Sequence, residues 1–141
     1  MDLRTPEDLP DTPAQRAADR RRLLRALNAS LAFVLVLAAV FALQQGEDYR
    51  PLTVTALSPQ GLWGLLTAPL LHGSVEHIAA NAASLLLLGT LAGSVYPKAT
   101  VRALPILWLG SGLGAWLLGE PGSHHLGASG LTHGLMFLVF V

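Results

Sequence analysis

The chain has 141 residues, of which 52% are hydrophobic and 13% charged, and its formal net charge is zero. Soluble domains carry about 25% charged residues, so this chain cannot cover a water-facing surface, and its balanced charge excludes a nucleic-acid partner. It has no cysteine, which excludes disulfides, thiolate zinc sites and a cysteine nucleophile.

Residues 1–25 are polar and form one region; residues 26–141 form the other. The first half, DLRTPEDLPDTP, has almost nothing to bury, and disorder is expected of this cytoplasmic N-terminal segment. Its second half, QRAADRRRLLRAL, is helix-compatible and basic. The basic run reads as a solvated stretch beside a membrane or as an anionic-lipid site. Ala26–Leu43 is apolar apart from Asn28 and Ser30. Its length approaches the roughly 20 residues that cross a bilayer, so it is read as the first span. A cleaved signal peptide is the rival reading, and the long, partly acidic stretch before it argues against that.

Gln44–Ser74 opens polar and is interrupted by Pro51, Pro59, Gly61, Gly64 and Pro69, too broken to span. Such a long connection in a compact domain tends to be functional. Trp63 suits an interfacial anchor. Val75–Val95 is the second span, with Ser74 as N-cap and Gly89 and Gly93 spaced for close helix contact. Val101–Leu118 is the third, Gly119–Gly127 a short connection, and Ala128–Val141 starts a fourth. Arg16, Arg20, Arg21, Arg22 and Arg25 run up to the first span, and Lys98 and Arg102 flank the second turn. Cytoplasmic segments carry the Lys/Arg excess, so the N-terminus and residues 96–102 are placed in the cytoplasm and residues 44–74 and 119–127 outside. The expected fold class is an all-α membrane protein, a multi-pass helix bundle.

This topology brings His72, His77 and Asn81, at the outer end of the second span, level with Ser129 at the outer start of the fourth. His77 and Asn81 are four apart and share a helix face. Polar groups inside a span are costly and usually functional, although the pair could equally join helices by hydrogen bonds. Ser129 lies between Gly127 and Gly130 at a helix N-terminus, where small neighbours admit a substrate backbone and free N–H groups favour developing negative charge. An ordinary N-cap serine is the plainer reading. Depth requires the fourth helix to start recessed, with Gly119–Ala128 following it down as irregular backbone, which membranes tolerate only against protein or a water-filled cavity. A water-accessible pocket is therefore expected, walled by the second and fourth helices and covered by the 44–74 loop.

The spacing His-x4-His-x3-Asn in HGSVEHIAAN (His72–Asn81), followed by GASG (Gly127–Gly130) among membrane spans, resembles the rhomboid intramembrane serine proteases. The resemblance runs from about Trp63 to the last residue. It implies a serine endopeptidase that cleaves transmembrane segments of membrane proteins within the lipid bilayer, without cofactor or metal. Ser129 falls on the family's nucleophile, His77 and Asn81 on its oxyanion residues, and His72 on the outer histidine that holds the first loop. The sequence departs in three places. The family's base histidine lies on the sixth core helix, and the chain ends before it. An aromatic residue often stands four after the nucleophile, where this chain has His133. The first loop often carries Trp-Arg, where this chain has Trp63-Gly64.

His133 is one turn beyond Ser129 and would crowd the substrate if it served as base. His124 and His125 read as exposed loop histidines, with no third residue at metal-ligand spacing. Two readings follow: a rhomboid-type protease of a bacterial inner membrane, or an inactive relative that binds transmembrane helices. A later histidine facing Ser129 would separate them. The apolar ending LMFLVFV leads us to expect a truncated bundle of six or more spans, with this fragment inactive alone.

Overall fold

The computed structural model describes residues 11–141, so the disorder expected of residues 1–10 falls outside it. Helix α1 spans Pro13–Leu43, 31 residues. It starts well before Ala26, so residues 13–25 are helical and not disordered. The cause is local. Thr12 is extended and its Oγ1 accepts the Gln15 N–H at 3.2 Å, while Pro13 takes the first helical position, where its missing N–H costs nothing. At 1.5 Å per residue α1 is about 46 Å long, against a hydrocarbon core of roughly 30 Å. Its arginine-bearing first turns therefore project beyond the apolar part.

The 44–74 connection is folded, not loose. It holds short 3₁₀ turns and the four-residue helix α2 (Gly64–Thr67). The second span is α3 (Val75–Ser84), a π-helical segment at Leu85–Gly89, and α4 (Thr90–Val95). Ser74 caps it, its Oγ accepting the His77 N–H at 3.1 Å. Helix α5 (Pro97–Leu118) starts at Pro97 and not at Val101. Tyr96 leaves helical geometry at φ −123°, ψ 56°, and Pro97 nucleates the next helix at its first position. Helix α6 (Ser129–Phe140) is apolar and 12 residues long. Among the described residues, three helices are long and apolar enough to cross a membrane: α1, the second span and α5.

The core gathers Leu37 of α1, Leu85, Leu88 and Ala92 of the second span, and Ala128, Leu131 and Leu135 around α6. Small residues set the spacing, as expected in apolar surroundings where packing drives association. A Cβ on Gly93 would lie 3.0 Å from the Ala26 Cβ, and one on Gly89 would lie 2.5 Å from the Ser30 Oγ. The two broken connections meet at one end of the bundle. Strand β1 (Val54–Thr55) pairs antiparallel with β2 (His124–His125), in the register Val54 to His125 and Thr55 to His124. This two-residue ladder is the one departure from an all-α bundle among the described residues.

Candidate active site

His72 opens the site from below the cap of α3. It is fully buried, and its main chain is clamped by a side chain from the far end of α1. Gln44 Nε2 donates to the His72 carbonyl at 2.6 Å, and the His72 N–H donates to Gln44 Oε1 at 3.2 Å. The imidazole then meets Asn81, whose Nδ2 lies 3.0 Å from His72 Nε2. An amide NH2 can only donate, so Nε2 is the acceptor and the neutral ring carries its proton on Nδ1. Burial, and secondly the nearby His77, hold the His72 imidazole below its ordinary pKa, which keeps it in that acceptor state. Asn81 is itself buried and presents its amide nitrogen towards residue 127.

His77 stands edge-on to His72, ring centroids 5.0 Å apart, and reaches further across. Gly127 shows how close. Its φ is +104°, and a Cβ there would lie 2.6 Å from His77 Cε1, 2.7 Å from His77 Nε2 and 3.6 Å from Asn81 Nδ2. Only glycine supplies both that backbone angle and that clearance. The chain therefore passes directly over the two donors two residues before Ser129. The Gly127 N–H is held by the Ala68 carbonyl at 2.8 Å, fixing this approach to the 44–74 connection.

Ser129 is the first residue of α6 and shares a cavity of about 450 Å³ with His77, Gly127 and Gly130. The expected walls, α3 and α6, are present with the covering loop at Val54, Ala68 and Pro69. Helix α5 adds a third wall through Ser111, Gly112 and Ala115. Gly130 lines the cavity, but its missing side chain is used by α5: a Cβ there would run into the Ser111 side chain. Among the described residues, no side chain is hydrogen-bonded to the Ser129 hydroxyl. His133 is exposed and its Nδ1 lies 2.7 Å from the Ser129 carbonyl. Its ring thus folds onto its own helix and away from the cavity.

His124 is exposed, as expected, and His125 half-buried, but neither ring is without partners. His124 Nδ1 lies 2.8 Å from Thr53 Oγ1 and 3.2 Å from Thr55 Oγ1, and His125 Nε2 lies 2.8 Å from Ser123 Oγ. Their backbone forms β2, and both line the cavity. No cluster of three metal-ligating side chains occurs among the described residues. The loop's anchoring, which Trp63-Gly64 left open, rests on other contacts. A Cβ on Gly64 would run into the Thr53 backbone, so glycine is what lets the loop close on itself. Trp116 Nε1 donates to the Ser58 carbonyl at 2.8 Å and Trp108 Nε1 to the Leu66 carbonyl at 3.2 Å. Trp63 itself is exposed.

The model of the Rhomboid domain matches residues 59–141, the stretch that carries every one of these groups except Gln44 and the first loop residues. The chain belongs to the rhomboid family. Its rhomboid relatives include uncharacterized proteins of Mycobacterium bovis and Mycobacterium tuberculosis, each 36% identical over 149 residues. That alignment covers 100% of this chain and 62% of theirs, so this rhomboid chain spans less than two thirds of their length. An uncharacterized protein of Mycobacterium leprae is 32% identical over 93 residues, 62% of this chain and 37% of its own. No solved structure matches the rhomboid chain significantly. The family and the three apolar helices make it a multi-pass integral membrane protein.

Proposed function

We propose that the chain belongs to an intramembrane serine endopeptidase that cuts transmembrane segments of membrane proteins. The observation that carries this reading is the shared cavity: the Ser129 residue and the His77 ring line one space, with the Asn81 amide beside Gly127. In the reaction Ser129 Oγ attacks the scissile carbonyl carbon, and its proton passes to a histidine base supplied by a later helix of the longer protein. The carbonyl oxygen becomes an oxyanion, held by the Ser129 N–H at the positive end of α6 and by His77 and Asn81. Collapse expels the amine, which takes the proton back from the base. Water then attacks the acyl-serine ester and releases the acid, so the cavity must admit water. His72 positions Asn81 and touches no substrate. A cysteine-free chain of zero formal net charge fits lipid-embedded substrates and no nucleic acid. By the Lys/Arg excess around 16–25 and 98–102, the N-terminus faces the cytoplasm of a bacterial inner membrane.

The test is cleavage of a transmembrane reporter by the full-length protein. Ser129→Ala should abolish product, and Asn81→Ala should lower the rate about 10²–10³-fold, the cost of one oxyanion donor. Undiminished cleavage by Ser129→Ala would overturn the assignment. Cleavage by residues 1–141 alone, lost in His133→Ala, would show that its ring leaves the Ser129 carbonyl to act as base.

A further inference from the structure

A second, larger cavity of about 730 Å³ runs from Arg25 to Phe33 and Trp108, on the side of the bundle away from the Ser129 cavity's mouth. Its walls are α1 and α5, and its floor is made by Leu85, Gly89 and Gly93 of the second span with Leu131 and Leu135 of α6. The lining is almost wholly apolar, and its mouth carries one charged group, Arg25. We propose that this groove binds an anionic phospholipid, one acyl chain inside and the phosphate on Arg25.

The shape selects the occupant. Phe33 of α1 and Trp108 of α5 close the groove at its far end, ring centroids 6.0 Å apart. From Arg25 to Phe33 is eight residues, about 12 Å of helix. Above the rings, Trp108 is tied to the Leu66 carbonyl and a Cβ on Gly112 would lie 2.8 Å from Leu65, so the covering loop seals the gap. A transmembrane helix about 10 Å wide must run the whole core of roughly 30 Å and is stopped by this closure. A flexible acyl chain entering from the open end is not.

Charge selects the head group. Arg25 is exposed and has no carboxylate partner among the described residues, whose ion pairs are Arg16–Asp11, Arg22–Asp19 and Arg50–Asp48. Arg25 sits where the apolar run of α1 begins, at head-group depth, with its aliphatic stem along the apolar lining. Arg20, Arg21, Lys98 and Arg102 crowd the same end. A basic cluster immediately beside a span attracts anionic lipid, roughly five-fold per basic residue at the surface. Because Leu131 and Leu135 form part of the floor, the bound chain would also support the helix that carries Ser129.

The experiment uses full-length protein in nanodiscs of phosphatidylcholine containing a minor fraction of acyl-brominated phosphatidylglycerol, or of acyl-brominated phosphatidylcholine. Bromine quenches nearby indoles, and the difference between wild type and Trp108→Phe isolates the Trp108 signal. The proposal expects Trp108 to be quenched more by the brominated phosphatidylglycerol. Arg25→Gln should cut that preference about five-fold while leaving quenching by the phosphatidylcholine form. Leu104→Phe, which fills the groove from α5 and away from Arg25, should reduce quenching by both. Equal quenching by both lipids, unchanged in Arg25→Gln, overturns the anionic assignment. No quenching at all means that protein fills the groove, and quenching that falls with protein density means a second copy fills it; either result overturns the proposal.

Discussion

Gln44→Ala should loosen the site from 28 residues away. The Gln44 side chain makes two hydrogen bonds to the main chain of His72, at 2.6 and 3.2 Å, where both residues are buried. Truncation leaves one N–H and one carbonyl without partners in a place water does not reach, at about 1–3 kcal/mol for each unsatisfied group. Taking the low end for both gives about 2 kcal/mol against the closed state of residues 70–74. Local opening is then about 30-fold more frequent, and so is exchange of the amides it protects. Hydrogen–deuterium exchange of the full-length protein in detergent reads this directly. The peptide carrying His72 should exchange about 30-fold faster in Gln44→Ala, while peptides from the middle of α5 keep their wild-type rates. Gln44→Glu sets a carboxylate oxygen against the His72 carbonyl in a buried place and should open the segment at least as often as Gln44→Ala. Wild-type exchange at His72 in Gln44→Ala would refute the clamp, and with it the chain of contacts from α1 through His72 to Asn81.

Gly127→Ala places a methyl 2.6–2.7 Å from the His77 ring at a left-handed backbone angle. The ring must move, and reporter cleavage should fall by about 10²-fold, the cost of roughly 1 Å of misplacement; a near-wild-type rate would show that His77 plays no part. The His72 pKa is lowered by burial and by His77, so the unfolded chain takes the proton first. Stability is then whole above the unfolded value of about 6.5 and declines as pH falls below it. The thermal midpoint of the full-length protein should drop on acidification from there, with a shallower slope in His72→Asn. Trp116→Phe removes the donor to the Ser58 carbonyl and should cost about 1 kcal/mol, read as faster exchange of residues 56–60. A reporter fused after residue 99 should report cytoplasm and one near residue 48 the outside; the reverse would undo the orientation.

The placement of His77 and Asn81 at one end of the second span, close to the start of α6, was legible in the sequence, because helical spacing and the alternation of spans need no knowledge of packing; the bond from Asn81 to His72 was not. Nor was Gln44. It stands in QQGEDYRP beside an identical Gln45 that bonds only to its own helix, through the Phe41 carbonyl, and no local rule separates the two. The early start of α1 agrees with the helix-compatible reading of residues 15–27, and Thr12-Pro13-Ala14-Gln15, which has the spacing of a capping box, marks where it begins. Strands β1 and β2 are two residues each, too short for any alternation to appear. Gly130 looked like room for a substrate, and only the crossing of α5 shows that Ser111 occupies that room.

The ladder between β1 and β2 has a consequence for how anything reaches Ser129. Around it, the Ala56 N–H bonds to Ser123, the Leu57 N–H to Trp116, the Gly122 N–H to Ala56 and the Gly127 N–H to Ala68, at 2.8–3.1 Å. Adding the two tryptophan indoles and His124 gives about seven bonds that would break if this side swung away. At about 1 kcal/mol net for each, the swung state is populated about once in 10⁵ molecules. The first loop is therefore a fixed jamb. Under the proposed function, mutations that ease substrate passage should fall outside residues 52–69.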